Sequence, residues 1–410
     1  MPATQEASVK DFDVARLVQR VAVPVLAVIF ALIVGGFLVA ASGYPPADAS
    51  FTVMQSAFSC SPAYCNFATV LTTAAPLILT TLGAILVLSA GLFSIGQEGQ
   101  YGLGGLAAVV VGYAIPLPEG LHAAAALLAG AIAGAAVGVI PAVFRIFLGA
   151  NELIVSIILN SIVMLVLSYL VNYPLRQSGG SASYTEVVDE TARLAVFDPA
   201  TKLGMNIVIA LAFVVIVWVY LRRSTWGYEQ RMAGAASAFA RYSGMRTRVA
   251  VIRAAALGGA LAGIGGGIQV IGMNYRVIDG FMDGTGFNGL TAAILGGMTV
   301  FGGALAALLF SAITVGAVNG LQIMMGIPRE IGATVLALMI VFVSVQAPLV
   351  ERLELWLSKK RGAAEIARRA AESPDASPPT AAPPPDRTDA ASSLLASTAA
   401  GAPAPGLEEA

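Results

Sequence analysis

Ten stretches, near 21–42, 67–90, 100–116, 121–144, 152–172, 204–221, 249–275, 286–301, 303–323 and 330–350, carry the apolar run that a helix needs to cross a hydrocarbon core of about 30 Å. Lipid offers no hydrogen bonds, so a spanning backbone must satisfy its own polar groups, and a helix does this within one segment. Only 11% of the 410 residues are charged, where about 25% is usual for a soluble protein. The expected fold is therefore all-α and polytopic, with about ten transmembrane helices. The stretches at 100–116 and 286–301 are short and Gly-rich, so each reads either as a full span or as a broken, re-entrant helix.

An even number of crossings puts both termini on one side. With the N-terminus inside, 18 of the 23 Lys and Arg fall in cytoplasmic segments, leaving Arg176, Arg193, Lys202, Arg276 and Arg329 outside. The positive-inside rule selects this orientation. The expected layout is a cytoplasmic segment 1–20, a transmembrane domain 21–350 with outer segments 43–66 and 173–203 and a cytoplasmic loop at about 222–249, a basic amphipathic stretch 351–372, and a Pro/Ala-rich tail 373–410 that cannot bury enough apolar surface to order itself. The first apolar stretch exceeds a signal-peptide core and lacks a clear cleavage site, so it reads as a retained anchor.

Within the apolar spans the fixed charges reduce mainly to Glu98 and, nearer an edge, Glu152. A charge at membrane depth costs about 3 kcal/mol or more, which marks Glu98 as a functional position. Two readings stand for it: a polar group on a solute pathway, or a tie between a broken helix and its neighbours. Cys60 and Cys65, the only cysteines, lie in an outer segment and read as a disulfide or as two inert thiols, with no further metal ligands nearby. His122, the only histidine, reads as an interfacial residue at a helix end. None of the four lysines follows a glycine, so the chain has no phosphate-cradling loop of its own and any ATP is hydrolysed on another polypeptide. No catalytic residues, metal or cofactor are expected.

The cytoplasmic island from Arg222 to Arg253 places small residues around Gly234 and a helical turn at Ser237–Tyr242 between arginines. Such a surface suits docking by another protein.

Four motifs occur in one order: Gly96-x-Glu98-Gly99-Gln100; Asn151-Glu152-Leu153-Ile154 with Asn160; Arg231-x-x-Gly234 through Ala240-Arg241-Tyr242-x-Gly244; and Gly286-Phe287-Asn288-Gly289-Leu290 to Gly296. Over about 20–350 the chain resembles the permease subunit of ABC importers in the branched-chain amino acid and simple-sugar superfamily, most closely its nucleoside branch. Ser94 and Gln97 stand where that branch usually has Asn and Leu, and Asn288 where Asp is common. The resemblance implies an inverted repeat, a bacterial inner-membrane location, cytoplasmic ABC ATPase subunits, a second permease subunit, paralogous in a heterodimer in preference to identical in a homodimer, an extracytoplasmic solute-binding protein, and no nucleic-acid partner.

On this basis Ser94, Gln97, Glu98, Gln100, Asn160 and Asn288 are assigned to the solute pathway. Arg231, Gly234, Ser237, Ala240, Arg241 and Gly244 are assigned to ATPase coupling, and Asn151 and Glu152 to structural caps. The implied solute is a nucleoside or related small polar molecule. Other solutes in the same class are a simple sugar, a riboflavin-like compound or a branched-chain amino acid. An ion-coupled secondary transporter is the reading from a different class.

Overall fold

This computed structural model describes residues 40, 46–60, 65–177, 179, 183–324 and 326, all in the compact unit that ends at Val350. Segment 1–20, the expected spans at 21–42 (apart from Ala40) and 330–350, the stretch 351–372 and the tail 373–410 lie outside the described residues.

The described chain is helical. Its elements are α1 (Pro46–Phe58), α2 (Asn66–Ser89), α3 (Gln97–Ala114), α4 (Leu121–Leu148), α5 (Glu152–Asn172), α6 (Met205–Arg223), α7 (Thr225–Ala235), α8 (Ser237–Tyr242), α9 (Thr247–Gln269), α10 (Thr285–Leu295) and α11 (Val300–Gly316). Wide π-helical turns, Val270–Asn274 and Ala317–Met324, prolong α9 and α11. The strands β1 (Val196–Asp198) and β2 (Leu203–Gly204) pair antiparallel within the segment that joins α5 to α6. Among the described residues six helices, α2, α4, α5, α6, α9 and α11 with their extensions, are long and apolar enough to cross a membrane. The segment 43–66, read from the sequence as an outer segment, carries α1, which begins on Pro46, a residue whose fixed φ suits the first helical position.

α2 is the buried axis, with 89% of its apolar window inside the molecule, whereas α4, α5 and α6 bury about a third or less. Leu128, Ile132, Leu165 and Val215 on these outer helices are more than half exposed. Apolar exposure on that scale suits contact with lipid. Inside, α3, α4 and α9 meet backbone to backbone. A Cβ on Gly104 would lie 2.3 Å from the Gly263 Cα, one on Gly263 2.1 Å from the Gly130 oxygen, and one on Gly134 2.2 Å from the Gly259 oxygen. Without a hydrophobic drive between helices in lipid, such close approach supplies the dispersion contact that holds them.

The two ends of the bundle differ in chemistry. One end gathers the turn after α2, Arg145, Glu152 and the arginine-bearing α7 and α8. The opposite end carries the Cys60–Cys65 disulfide and the segment 183–204. There His122 departs from its expected interfacial setting. It is fully buried, with Nδ1 2.8 Å from Thr191 Oγ1 and Nε2 3.1 Å from the Val111 carbonyl oxygen, because the 190–192 turn folds back over it. At this end too, Asn172 Nδ2 donates to Asp279 Oδ2 at 3.0 Å.

This bond, then one from Ser168, holds the Asp279 carboxyl below its ordinary pKa. A lowered folded value means that the contribution is present above the ordinary value and lost as pH falls through the lowered one. Asp279→Asn should therefore flatten the acid limb of the thermal-melt profile by a small amount. An unaltered limb would remove Asp279 as its source.

Candidate functional site

The expected stretch 286–301 is not one helix. α10 has 11 residues, a rise of about 16 Å, roughly half of a hydrocarbon core. The chain then turns at Gly297 (φ +63°) and Met298 (φ +54°), and the Thr299 side chain accepts from Gly302 N–H to start α11. α11 returns along α2, with Gly303 beside Ile85 and Ser311 Oγ donating to the Val70 oxygen at 2.7 Å. The stretch 100–116, by contrast, lies in one continuous helix, α3, as far as Ala114.

The segment before α10 runs along α3. Phe281 stacks on Tyr101, with ring centroids 5.2 Å apart and planes 3° from parallel. Gly105 and Gly102 make room for this segment, since a Cβ on either would lie within 2.7 Å of Phe281 or Met282 side-chain atoms. The run ends on Glu98. Gly284 N–H donates to Glu98 Oε1 at 2.9 Å, and Gly286 and Phe287 N–H donate to Oε2 at 2.7 and 3.3 Å.

The first N–H groups of a helix lack partners within it and carry partial positive charge, so a carboxylate there satisfies both needs. Glu98 does this for α10 from the first turn of α3. The two N-termini touch: a Cβ on Gly286 would lie 2.4 Å from the Glu98 nitrogen. One turn further, Gly289 packs on Thr80, near the middle of α2. The contact between the two N-termini is therefore deep in the bundle.

Around this clasp the other assigned side chains divide. Asn160 of α5 is a second tie to α3, with Oδ1 accepting from Gly99 N–H at 3.0 Å and Nδ2 donating to the Ile95 oxygen at 2.9 Å. Ser94 Oγ accepts from Gly96 N–H at 3.2 Å. Gln97 is 1% exposed, and neither of its amide atoms has a hydrogen-bond partner among the described residues; the same holds for Gln100 Oε1. Asn288 is half-buried on the first turn of α10. Asp283, which sequence reasoning passed over, caps α10 from the exposed side, accepting from Thr285 N–H at 3.1 Å and Thr285 Oγ1 at 2.6 Å. The Asp-Gly-Thr run before Gly286 was its signal.

At the arginine-rich end, Asn151 Oδ1 accepts from Leu153 N–H at 2.9 Å, and Glu152 pairs with Arg145 at 2.6 Å. Arg231, Ser237, Arg241 and Gly244 are exposed, Ala240 is buried, and Gly234 faces the turn after α2. Tyr242 is 93% and Phe239 58% exposed among these arginines. Beside them a cleft of about 410 Å³ is lined by Arg222, Tyr228, Glu229 and Arg231. No cluster of metal-binding side chains occurs among the described residues.

The family described as branched-chain amino acid transport system / permease component matches residues 66–344, well over half of the chain. The chain belongs to this permease family. It is a multi-pass membrane protein and is not itself catalytic; the family works with an ATPase and a solute-binding protein. The permease is 32% identical over 347 residues to the guanosine ABC transporter permease protein NupP of Bacillus subtilis, covering 83% of this chain and 97% of that one. It is 28% identical to the nucleoside ABC transporter permease protein NupB of Lactococcus lactis, covering 86% and 98%. It is 31% identical to the glucose ABC transporter permease protein TsgB13 of Haloferax volcanii, covering 78% and 86%. No solved structure matches the permease.

Proposed function

We propose that this permease carries a nucleoside or a related small polar solute into the cytoplasm as one half of a heterodimeric membrane channel. The arginine-rich end faces the cytoplasm and the ATPase, and the opposite end receives solute from the binding protein. The observation that carries the reading is the meeting of two helix N-termini on Glu98 deep in the bundle. Transporters place interrupted helices near the midplane to present backbone dipoles and polar side chains to a solute.

The long helix α2 followed by α3 and the long helix α9 followed by α10 bring equivalent N-termini to that point, which supports an inverted repeat within about ten spans. The unpaired amide of Gln97, the Gln100 carbonyl and Asn288 offer donors and acceptors suited to ribose hydroxyls and base edges as the two N-termini part. Glu98 and Asn160 hold the helices and act on solute through them. The likeness to the guanosine and nucleoside permeases supports a nucleoside. Glucose is the second reading, favoured by the 31% likeness to the glucose permease.

Competition separates the two. In cells lacking the gene, restoring it should restore uptake of labelled guanosine, and unlabelled adenosine or uridine should compete where excess glucose does not. Restoration of glucose uptake alone would replace the nucleoside by a sugar.

A further inference from the structure

We infer that Gln230 is the positioning residue through which movement of α7 reaches the intramembrane clasp. Gln230 is fully buried on α7. Its Nε2 donates to the Leu86 oxygen and to Ser89 Oγ, both at 2.8 Å, and its Oε1 accepts from Tyr220 O–H at 2.8 Å. Leu86 lies in the last turn of α2, where the Ala90 N–H bonds to the Val87 oxygen instead. Ser89 Oγ and Gln230 take the vacant place, so a side chain of α7 caps the end of α2.

One turn along α7, Gly234 lies directly on the next residues. A Cβ there would be 2.4 Å from the Ser89 oxygen and 2.7 Å from the Gly91 nitrogen. Gly91 has φ +73°, and its oxygen accepts from Arg145 Nη1 at 2.8 Å. The Ser89–Gly91 turn is thus held by α7 on one side and by Arg145 on the other. The chain from Gly91 leads to Gly96, which opens α3 and its Glu98. A shift of α7 relative to α2 must therefore move the turn and pull on the clasp.

This inference rests on the reading that α7 and α8 meet the ATPase. Its test is the ratio of ATP hydrolysed to solute imported, measured in proteoliposomes holding the full transporter, its binding protein and labelled guanosine. Gln230→Met keeps the volume and removes the three hydrogen bonds. It should leave ATPase association and hydrolysis within about twofold and lower uptake about tenfold, raising the ratio about tenfold. Tyr220→Phe spares both bonds to α2 and should keep the ratio within about twofold of wild type.

Uptake and hydrolysis falling together, or an unaltered ratio, would reduce Gln230 to a packing residue and overturn the inference. Should Gln230→Met fail to accumulate, Ser89→Ala carries the same test: a raised ratio supports the joint and an unaltered one overturns it. ATPase retention by Phe239→Ser/Tyr242→Ala would count against the docking surface alone. Absence of guanosine uptake by wild type would count against the solute alone, and the ratio is then read with labelled glucose.

Discussion

Gly263→Val should remove the permease from the membrane as a folded protein. An isopropyl group at this position in α9 meets backbone of α4, since even a Cβ would lie 2.1 Å from the Gly130 oxygen and 3.1 Å from the Gly134 Cα. Flexible side chains can yield to overpacking at about 1–3 kcal/mol, but main chain in two packed helices has no rotamer to change, so the cost should exceed about 3 kcal/mol. In cells a loss of this size, out of a total stability of about 5–15 kcal/mol, sharply lowers the amount of folded protein that survives to extraction. Size-exclusion chromatography of detergent extracts should show the monodisperse peak lost, while the lipid-facing change Leu128→Ala keeps it. A Gly263→Val peak of normal height and melting temperature would contradict the α3–α4–α9 packing.

Glu98→Ala should have the second largest effect. It leaves the N–H groups of Gly284, Gly286 and Phe287 without their acceptor. An unsatisfied buried donor costs about 1–3 kcal/mol, and since Gly286 is the buried one of the three, a loss of about 3 kcal/mol is expected. Uptake should fall at least about tenfold while ATPase association at α7 and α8 persists, because the lesion sits deep in the bundle. Glu98→Gln keeps one acceptor oxygen and turns an amide NH₂ toward donors, so it should fall between wild type and Glu98→Ala in both melting temperature and uptake. Equal uptake in all three would mean that the junction of α3 and α10 plays no part in transport.

How much of this was legible in the sequence depends on the range of the interaction. Runs of apolar residues define α2, α4, α5, α6, α9 and α11 because spanning length is a local property. The break after α10 was legible in kind, since Gly296-Gly297 followed by Thr299 is a stop and a cap in succession. The partner of Glu98 was not. It is backbone N–H almost two hundred residues away, and no side-chain type advertises it. His122 failed for the same reason, because its burial depends on Thr191 returning over α4. Gln230 was overlooked between a tyrosine, arginines and Gly234: the end of α2 leaves the Leu86 oxygen open by itself, but which side chain fills it is decided only when α7 lies across that end.

Import of a nucleoside by this permease is driven, on the proposed reading, by ATP hydrolysed on a partner subunit. It is tested most directly by accumulation of labelled guanosine in proteoliposomes containing the permease, its partner permease, the ATPase and the binding protein. Accumulation should require ATP on the arginine-rich face and persist when ionophores collapse every ion gradient. Accumulation without ATP that disappears with an ion gradient would contradict it.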